Sequence, residues 1–495
     1  MTGYTASRHS PVLPGAVLLP ATLLAAVAAG LLVARAPLAA GAAVAVVALG
    51  ALVWVRPATA AVLVIAVTPL VAGIDRDRLV PGLRPNEALV VFVAAVLALR
   101  AVVHRPVGRP LSLRLNRVEW TLVAMAVCAS LVPLAFMYLR GRDVTGDDLS
   151  HALVLWKYLV VYAIVRASVT TQREVLVALM TSVAAASVVG LIGILQALDL
   201  LGVRELLRPL YTPFGYDAAL EIPRGGSTIG LPAATADLLV MNLAVAAGLW
   251  FEARRHPRPL LVAAGIFVVG TFAAAEFSSA LGLAVGVACV AVTLRRLDLL
   301  RWAPLGVAIG LVAAWPAVSH RLEGFGGLYG MPHSWTSRLT NLQTYFWPEL
   351  LSGNNLLLGV RPAARVQVST EGLGYVWIES GYTWLLWGGG VALFTSYLVF
   401  VVVSLRWLWR RVDGLPSWSS VAALGAFTGV AVGAVLMVFD PHLTYRAAAD
   451  CLFGLLALAA VPAQPRGPAP PVSSQPAAET VRSPDAFRRL TGDRP

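Results

Sequence analysis

Charge is scarce in this chain. Of its 495 residues only 13% are charged and 58% are apolar, whereas soluble domains carry about 25% charged residues. That excludes an ordinary soluble fold with a solvated polar shell. Lysine is almost missing: Lys157 stands alone beside 37 arginines. Cysteine is nearly absent too. Cys128, Cys289 and Cys451 lie singly inside apolar runs without CxxC spacing, which leaves them as small core residues rather than a disulfide framework or a thiolate metal site. The net charge of +12 does not amount to a nucleic-acid surface, because the arginines are scattered at the ends of apolar runs instead of gathered in one patch.

What the chain does have is hydrocarbon. About fourteen apolar runs approach the roughly 20 residues that a bilayer-spanning helix needs. They cover 14–34, 38–55, 58–74, 87–103, 119–139, 151–168, 174–197, 232–251, 260–275, 278–294, 302–318, 378–405, 418–439 and 444–461. The expected fold is an all-α polytopic membrane protein with about 12–14 transmembrane helices. Residues 1–13 form a cytoplasmic amino terminus and 14–461 the transmembrane helical domain. The first run, "AVLLPATLLAAVAAGLLVA", is long enough to span and reads as an anchor rather than a cleaved signal. The last residues, 462–495, are rich in Pro, Ala and Ser and read as a disordered cytoplasmic tail.

Alternating the runs with the amino terminus inside places "RAVVHRPVGRPLSLRLNR", "FEARRHPRP", "TLRRLDLLR" and "RWLWRRVDG" on the cytoplasmic side. These connections and the tail hold most of the basic residues, as the positive-inside rule requires. Both termini are then cytoplasmic, and the two long loops, about 198–231 and about 319–377, lie outside. In the larger loop Leu339, Leu342, Phe346 and Leu350 follow helical spacing, with Arg338, Asn341 and Tyr345 on the polar stripe. Ser334 is placed to cap this surface helix and Pro348 to kink it.

The informative charges collect on the outer side. Glu379 sits in "GYVWIESGYTWLLWGGG". Counted up from Arg406 at 1.5 Å per residue, it lies about 40 Å away, beyond the roughly 30 Å hydrocarbon layer and therefore at headgroup depth. Tyr382 and Thr383 are spaced to share its helix face. Arg224 precedes the 232–251 run, Arg338 lies on the surface helix, and Arg361 follows in "LLLGVRP". Asp440, His442 and Arg446 mark the last outer turn, with Arg446 and Asp450 spaced to pair. Arginines suit phosphate oxygens, and a carboxylate suits proton removal from a sugar hydroxyl. Each has a plainer reading. Glu379 fits a helix amino terminus, Lys157 and Arg338 can snorkel to the interface, and Asp237 and Glu276 can satisfy backbone groups.

The ordered set "RPNEALVVFVAAVLALR", "LWKYLVVYAIVRASVTTQREV", "PRGGSTIGLPAATADLLVMNLAVAAGLW", "TSRLTNLQTYFWPELLSGNNLLLGVRP" and "WIESGYTWLLWGGGVALF" resembles the O-antigen ligase and Wzy-type polysaccharide polymerase superfamily over roughly residues 84–460. The resemblance implies a GT-C-like fold with a large extracytoplasmic loop in the cytoplasmic (inner) membrane of a bacterium. It implies an inverting, metal-independent glycosyltransferase without cofactors. The donor would be an oligosaccharide on polyprenyl pyrophosphate and the acceptor a glycan or lipid-glycan. Chain-length regulators or flippase proteins are its expected partners, beside membrane lipid. By the same resemblance Glu379 is the acceptor-activating base and Arg224 and Arg338 hold the pyrophosphate; Arg361, which stands where the family usually has a glycine, is a further substrate-binding candidate with Lys157 and Tyr382. Ligases commonly carry His-Asn where this chain has Glu379-Ser380, and a carboxylate there is more like polymerases. Two rivals stand beside this reading: a lipid-linked glycan flippase or transporter, and a GT-C enzyme using a polyprenyl-phosphate sugar donor, for which Asp75 and Asp77 offer the acids.

Overall fold

The computed structural model describes residues 37–104, 115–211, 220–253, 257–323, 333–368, 374–413 and 417–463. The amino terminus, the expected span 14–34 and the tail beyond 463 lie outside them. The apolar runs fold as helices: α1 Pro37–Val55, α2 Ala58–Val71, α3 Pro85–Val103 and α4 Arg117–Leu139 come first. α5 is Gly146–Ser168, interrupted at Leu153, and α6 is Gln172–Ala197. Then follow α7 Pro232–Glu252, α8 Arg258–Ala273, α9 Phe277–Thr293, α10 Ala303–Ala313 and α11 Trp315–Glu323. α12 Gly381–Val412, α13 Trp418–Leu436 and α14 Ala448–Ala459 complete the bundle. Starts are written locally. Asn116 accepts the Glu119 amide at 2.9 Å while Glu119 returns a bond to the Asn116 amide at 2.7 Å, and proline opens α3 and α7.

The protein is an all-α, multi-pass membrane protein. Among the described residues seven helices are long and apolar enough to cross a bilayer, from α3 through α7 and then α12 and α13. The expected single run 302–318 is instead a pair bent by 82°. Pro316 accounts for the break, since it has no N–H to offer the Val312 carbonyl and its ring crowds that carbonyl. Apolar helices α2, α8, α9 and α14 are shorter, with 14, 16, 17 and 12 residues. α7 is the most enclosed of the seven, and it buries Thr235, Asp237 and Asn242 among its apolar residues.

Contacts sort the connections into two ends. At one end Tyr211 donates to the Leu70 carbonyl, the Gly73 amide to Thr228, and Arg446 to Ala72. At the other, Arg295 meets Asp413 at 2.9 Å and Gln172 joins Ser419 to Pro462. This is the grouping that strict alternation of the spans produces.

The large loop packs on the first of these ends. Its helix His333–Asn341 runs into a π-turn at Leu342–Phe346 and a short helix at Trp347–Leu350. The distortion thus comes before Pro348, and it turns Leu342, Phe346 and Leu350 inward while Leu339 stays exposed. Strands Arg365–Gln367 and Tyr375–Trp377 pair antiparallel, Val366 opposite Val376.

α12 is one continuous element only nominally. Gly389 and Gly390 leave helical geometry, and Gly390 has φ +63°. The freed carbonyl of Trp387 accepts from Val360 at 2.7 Å and Arg361 at 3.3 Å. The Trp387 indole, fully buried, donates to the Ala363 carbonyl at 3.0 Å. A Cβ on Gly390 would lie 2.2 Å from the Leu357 carbonyl, whereas one on Gly388 would meet only Leu393, at 3.8 Å. Gly390→Ala should therefore lower stability by more than about 2 kcal/mol, and Gly388→Ala should melt at or above the parent temperature in detergent. Equal melting temperatures for the two would contradict the packing account.

Candidate functional site

The helix-start rules place Glu379 before they place anything else. Ser380 is the N-cap of α12, its hydroxyl accepting the Thr383 amide at 3.3 Å. Glu379 therefore precedes the helix in extended chain and does not share a helical face with Tyr382 and Thr383. Tyr382 turns away, donating its hydroxyl proton to the Ala434 carbonyl at 2.7 Å. The start of α12 is pressed onto the turn after α13. A Cβ on Gly381 would strike Met437 and the Asp440 carbonyl. Only glycine permits that approach, and it brings Glu379 beside Asp440.

Arg338 closes this corner from the loop. Its Nη1 donates to Asp440 Oδ2 at 2.8 Å and its Nε lies 3.6 Å from Glu379 Oε1. One guanidinium thus serves two carboxylates from two different turns. Burial raises the Glu379 carboxyl above its ordinary pKa, and Asp440 and Glu276 push the same way against Arg338 and an Asn341 hydrogen bond. Burial likewise raises Asp440, with Arg338 and His442 opposing. Glu379 keeps 33% of its side chain exposed and Asp440 14%, so Glu379 is the acid that a ligand can reach.

A second corner adjoins the first. The Gly225 amide donates to the Ala273 carbonyl at 2.9 Å, tying the "PRGGST" turn to the α8–α9 hairpin. Arg224 Nη1 consequently lies 3.3 Å from Glu276 Oε1. Arg321, at the end of α11, lies 3.6 Å from the other oxygen of Glu276 and donates to Ser334 Oγ at 3.2 Å. Ser334 is thus a partner of Arg321 rather than a helix cap. The two corners feel each other, since Glu276 acts on Arg338, Glu379 and Asp440. Three guanidiniums face three carboxylates, and an entering polyanion can exchange with the carboxylates for the same donors.

Arg321 was not singled out in the sequence. Its only signal is a basic residue just past a Trp-Pro break, in "AWPAVSHRLEG". Asp237 and His442 form a third ionisable pair, 2.6 Å between Oδ2 and Nδ1.

Other sequence candidates fall outside this cluster. Arg361 is bound bidentately to Asp148, Nε at 2.8 Å and Nη2 at 2.5 Å, and Arg365 pairs with Asp147 at 2.9 Å. Both latch the loop onto the start of α5, with Arg142–Glu349 at 2.6 Å beside them. Lys157 lies 3.0 Å from the buried Asp450, which also accepts the Ala447 amide at the start of α14. It is therefore a counter-ion inside the bundle, and Asp450 takes Lys157 in place of the expected Arg446. Asp77 accepts the Gly82 amide at 2.7 Å and Asp75 lies 4.0 Å from Arg84, so both serve their own turn. No known protein-family model and no curated protein matches the chain.

Proposed function

We propose that the protein is a membrane glycosyltransferase of the O-antigen ligase and polymerase kind, acting as a polymerase. It transfers a glycan from polyprenyl pyrophosphate to a sugar hydroxyl at the outer face of a bacterial cytoplasmic membrane. In this reading the fold is GT-C-like, with the shorter apolar helices counting toward its crossings. One observation carries it: a partly exposed carboxylate, Glu379, with its pKa raised by burial, stands 3.6 Å from Arg338 beside the Arg224–Glu276–Arg321 corner. The first provides a base and the second provides cationic donors for a pyrophosphate.

The chemistry is a single displacement. Glu379 takes the proton of the acceptor hydroxyl, and the oxygen attacks the anomeric carbon from the face opposite the pyrophosphate. The bond between that carbon and the phosphate oxygen breaks. The departing charge is met by Arg338, Arg224 and Arg321, arranged before the charge develops. A donor oxygen displaces Glu276 from its arginines, so part of the binding energy offsets ion pairs already made.

The test is reconstitution of the purified protein with lipid-linked oligosaccharide. A ladder of products supports polymerisation and a single product indicates ligation. Transbilayer movement without turnover would replace the proposal with a flippase. Arg224→Ala and Arg321→Ala are each expected to raise the donor KM roughly 10-fold or more, the worth of a charged hydrogen bond. Asp75→Ala and Asp77→Ala should leave turnover unchanged, and a loss there would favour the polyprenyl-phosphate donor chemistry instead.

A further inference from the structure

An imidazole and a carboxylate paired inside a bundle need a reason, since apolar side chains of similar volume would fill the space at less cost. His442 has a side chain only 1% exposed, and its Nδ1 lies 2.6 Å from Asp237 Oδ2 on α7. That is a short, charge-assisted distance. Its Nε2 is buried and has no hydrogen-bond partner among the described residues. A cavity of about 30 Å³, lined by His442, Asp237, Tyr397 and Gly429 and Gly433 of α13, adjoins the ring. It is wide enough for a water molecule beside the ring.

The pair is wired to the acid corner. His442 belongs to the same turn as Asp440, its amide donating to the Asp440 carbonyl at 2.7 Å. Asp440 in turn holds Arg338, which reaches Glu379. The charged and titratable groups facing this turn are Asp237 from α7, Tyr397 from α12, Arg338 from the loop, Glu276 from the α8–α9 hairpin, Glu379 before α12, and Asp440, Tyr445 and Arg446 from the turn itself. The Tyr445 ring lies 4.7 Å from the imidazole.

We infer that His442 is a positioning residue which, as an imidazolium held by Asp237, cancels the Asp237 charge and so keeps Glu379 ionised and paired with Arg338. With the imidazole neutral, the Asp237 charge stands uncompensated. Asp440 and Glu379 then hold protons more tightly and Arg338 loses its grip on Glu379. The inference rests on Glu379 being the working acid, but it goes beyond that role and can be read without turnover.

The experiment follows the Glu379 carboxylate by infrared difference titration of the purified protein, the band being assigned by its loss in Glu379→Gln. His442→Gln keeps a donor for Asp237 but can carry no charge. Its Glu379 midpoint is expected to rise by about half a pH unit or more, the size of one unpaired charge nearby at an effective dielectric of about 20–40. The double variant His442→Gln/Asp237→Asn removes both charges and is expected to return the midpoint to the parent value. An unshifted midpoint in His442→Gln, or a double variant as displaced as the single, overturns the inference. If His442→Gln fails to insert, Asp237→Asn alone decides. A neutral ring beside a neutral amide should leave the midpoint at the parent value, and a raised midpoint there overturns it equally. Failure of the parent protein to turn over lipid-linked glycan would remove the proposed reaction while leaving this electrostatic result standing.

Discussion

Replacing Glu379 by glutamine is expected to stop the proposed glycan transfer while leaving the protein folded and inserted. Glutamine preserves shape and can still touch Arg338, which also keeps Asp440 at 2.8 Å. It cannot take a proton from the acceptor hydroxyl. Removal of a general base costs about 10²–10⁴-fold in rate, well clear of assay noise. The pH dependence follows from the same group. The base works ionised, so the parent rate should fall as pH drops through the Glu379 pKa. Burial, Asp440 and Glu276 raise that pKa above the ordinary carboxylate value. The acid limb should therefore lie above the ordinary glutamate value, and the residual rate of the variant should lack it. Initial rates against pH in proteoliposomes measure both. Normal polymer length and yield from Glu379→Gln would remove the residue from the chemistry.

Arg361→Ala should act in the opposite way, on stability with donor affinity spared. Asp148 has a fully buried side chain and takes Arg361 through two hydrogen bonds, with the Ala363 amide and both the amide and the hydroxyl of Thr145 as further donors. Removing the guanidinium leaves a buried charge short of its counter-ion, an effect of about 3–5 kcal/mol. Asp148→Asn in the same background should recover part of the loss, because the stranded charge is then gone. Thermal unfolding in detergent and protease nicking of the loop read the effect. A variant that melts like the parent yet binds donor poorly would return Arg361 to the substrate site.

The contrast between these two residues shows how far sequence reasoning reaches. The spans were legible because bilayer length and helical backbone satisfaction leave little else for apolar runs to do. Alternation then grouped Glu379, Arg224 and Arg338 at one end, and the structure brings Glu379 within 3.6 Å of Arg338. Alternation cannot say who pairs with whom. Arg361 looked free because its partner is 213 residues earlier, and Lys157 because Asp450 is 293 residues later. Spacing along one helix suggested Arg446 for Asp450, but burial depth decided the pairing. Arg321 and the His442–Asp237 pair were missed for the same reason: each becomes informative only once distant segments have met. Helix boundaries failed where one residue outweighed periodicity, at Ser380, Pro316 and Gly390.

The break at Gly389–Gly390 has a mechanical meaning. It divides α12 into an upper piece and a long lower shaft, joined at two glycines clamped between the Cys128 carbonyl of α4 and the Leu357 carbonyl of the loop. The upper piece is bolted to the loop through both the carbonyl and the indole of Trp387. The kink is therefore fixed by packing on both sides, and the path from Arg406 to the acid is shorter than a straight helix would make it. Alignment of Glu379 with Arg338 is set by the loop and the upper piece together, and not by the length of the shaft beneath them.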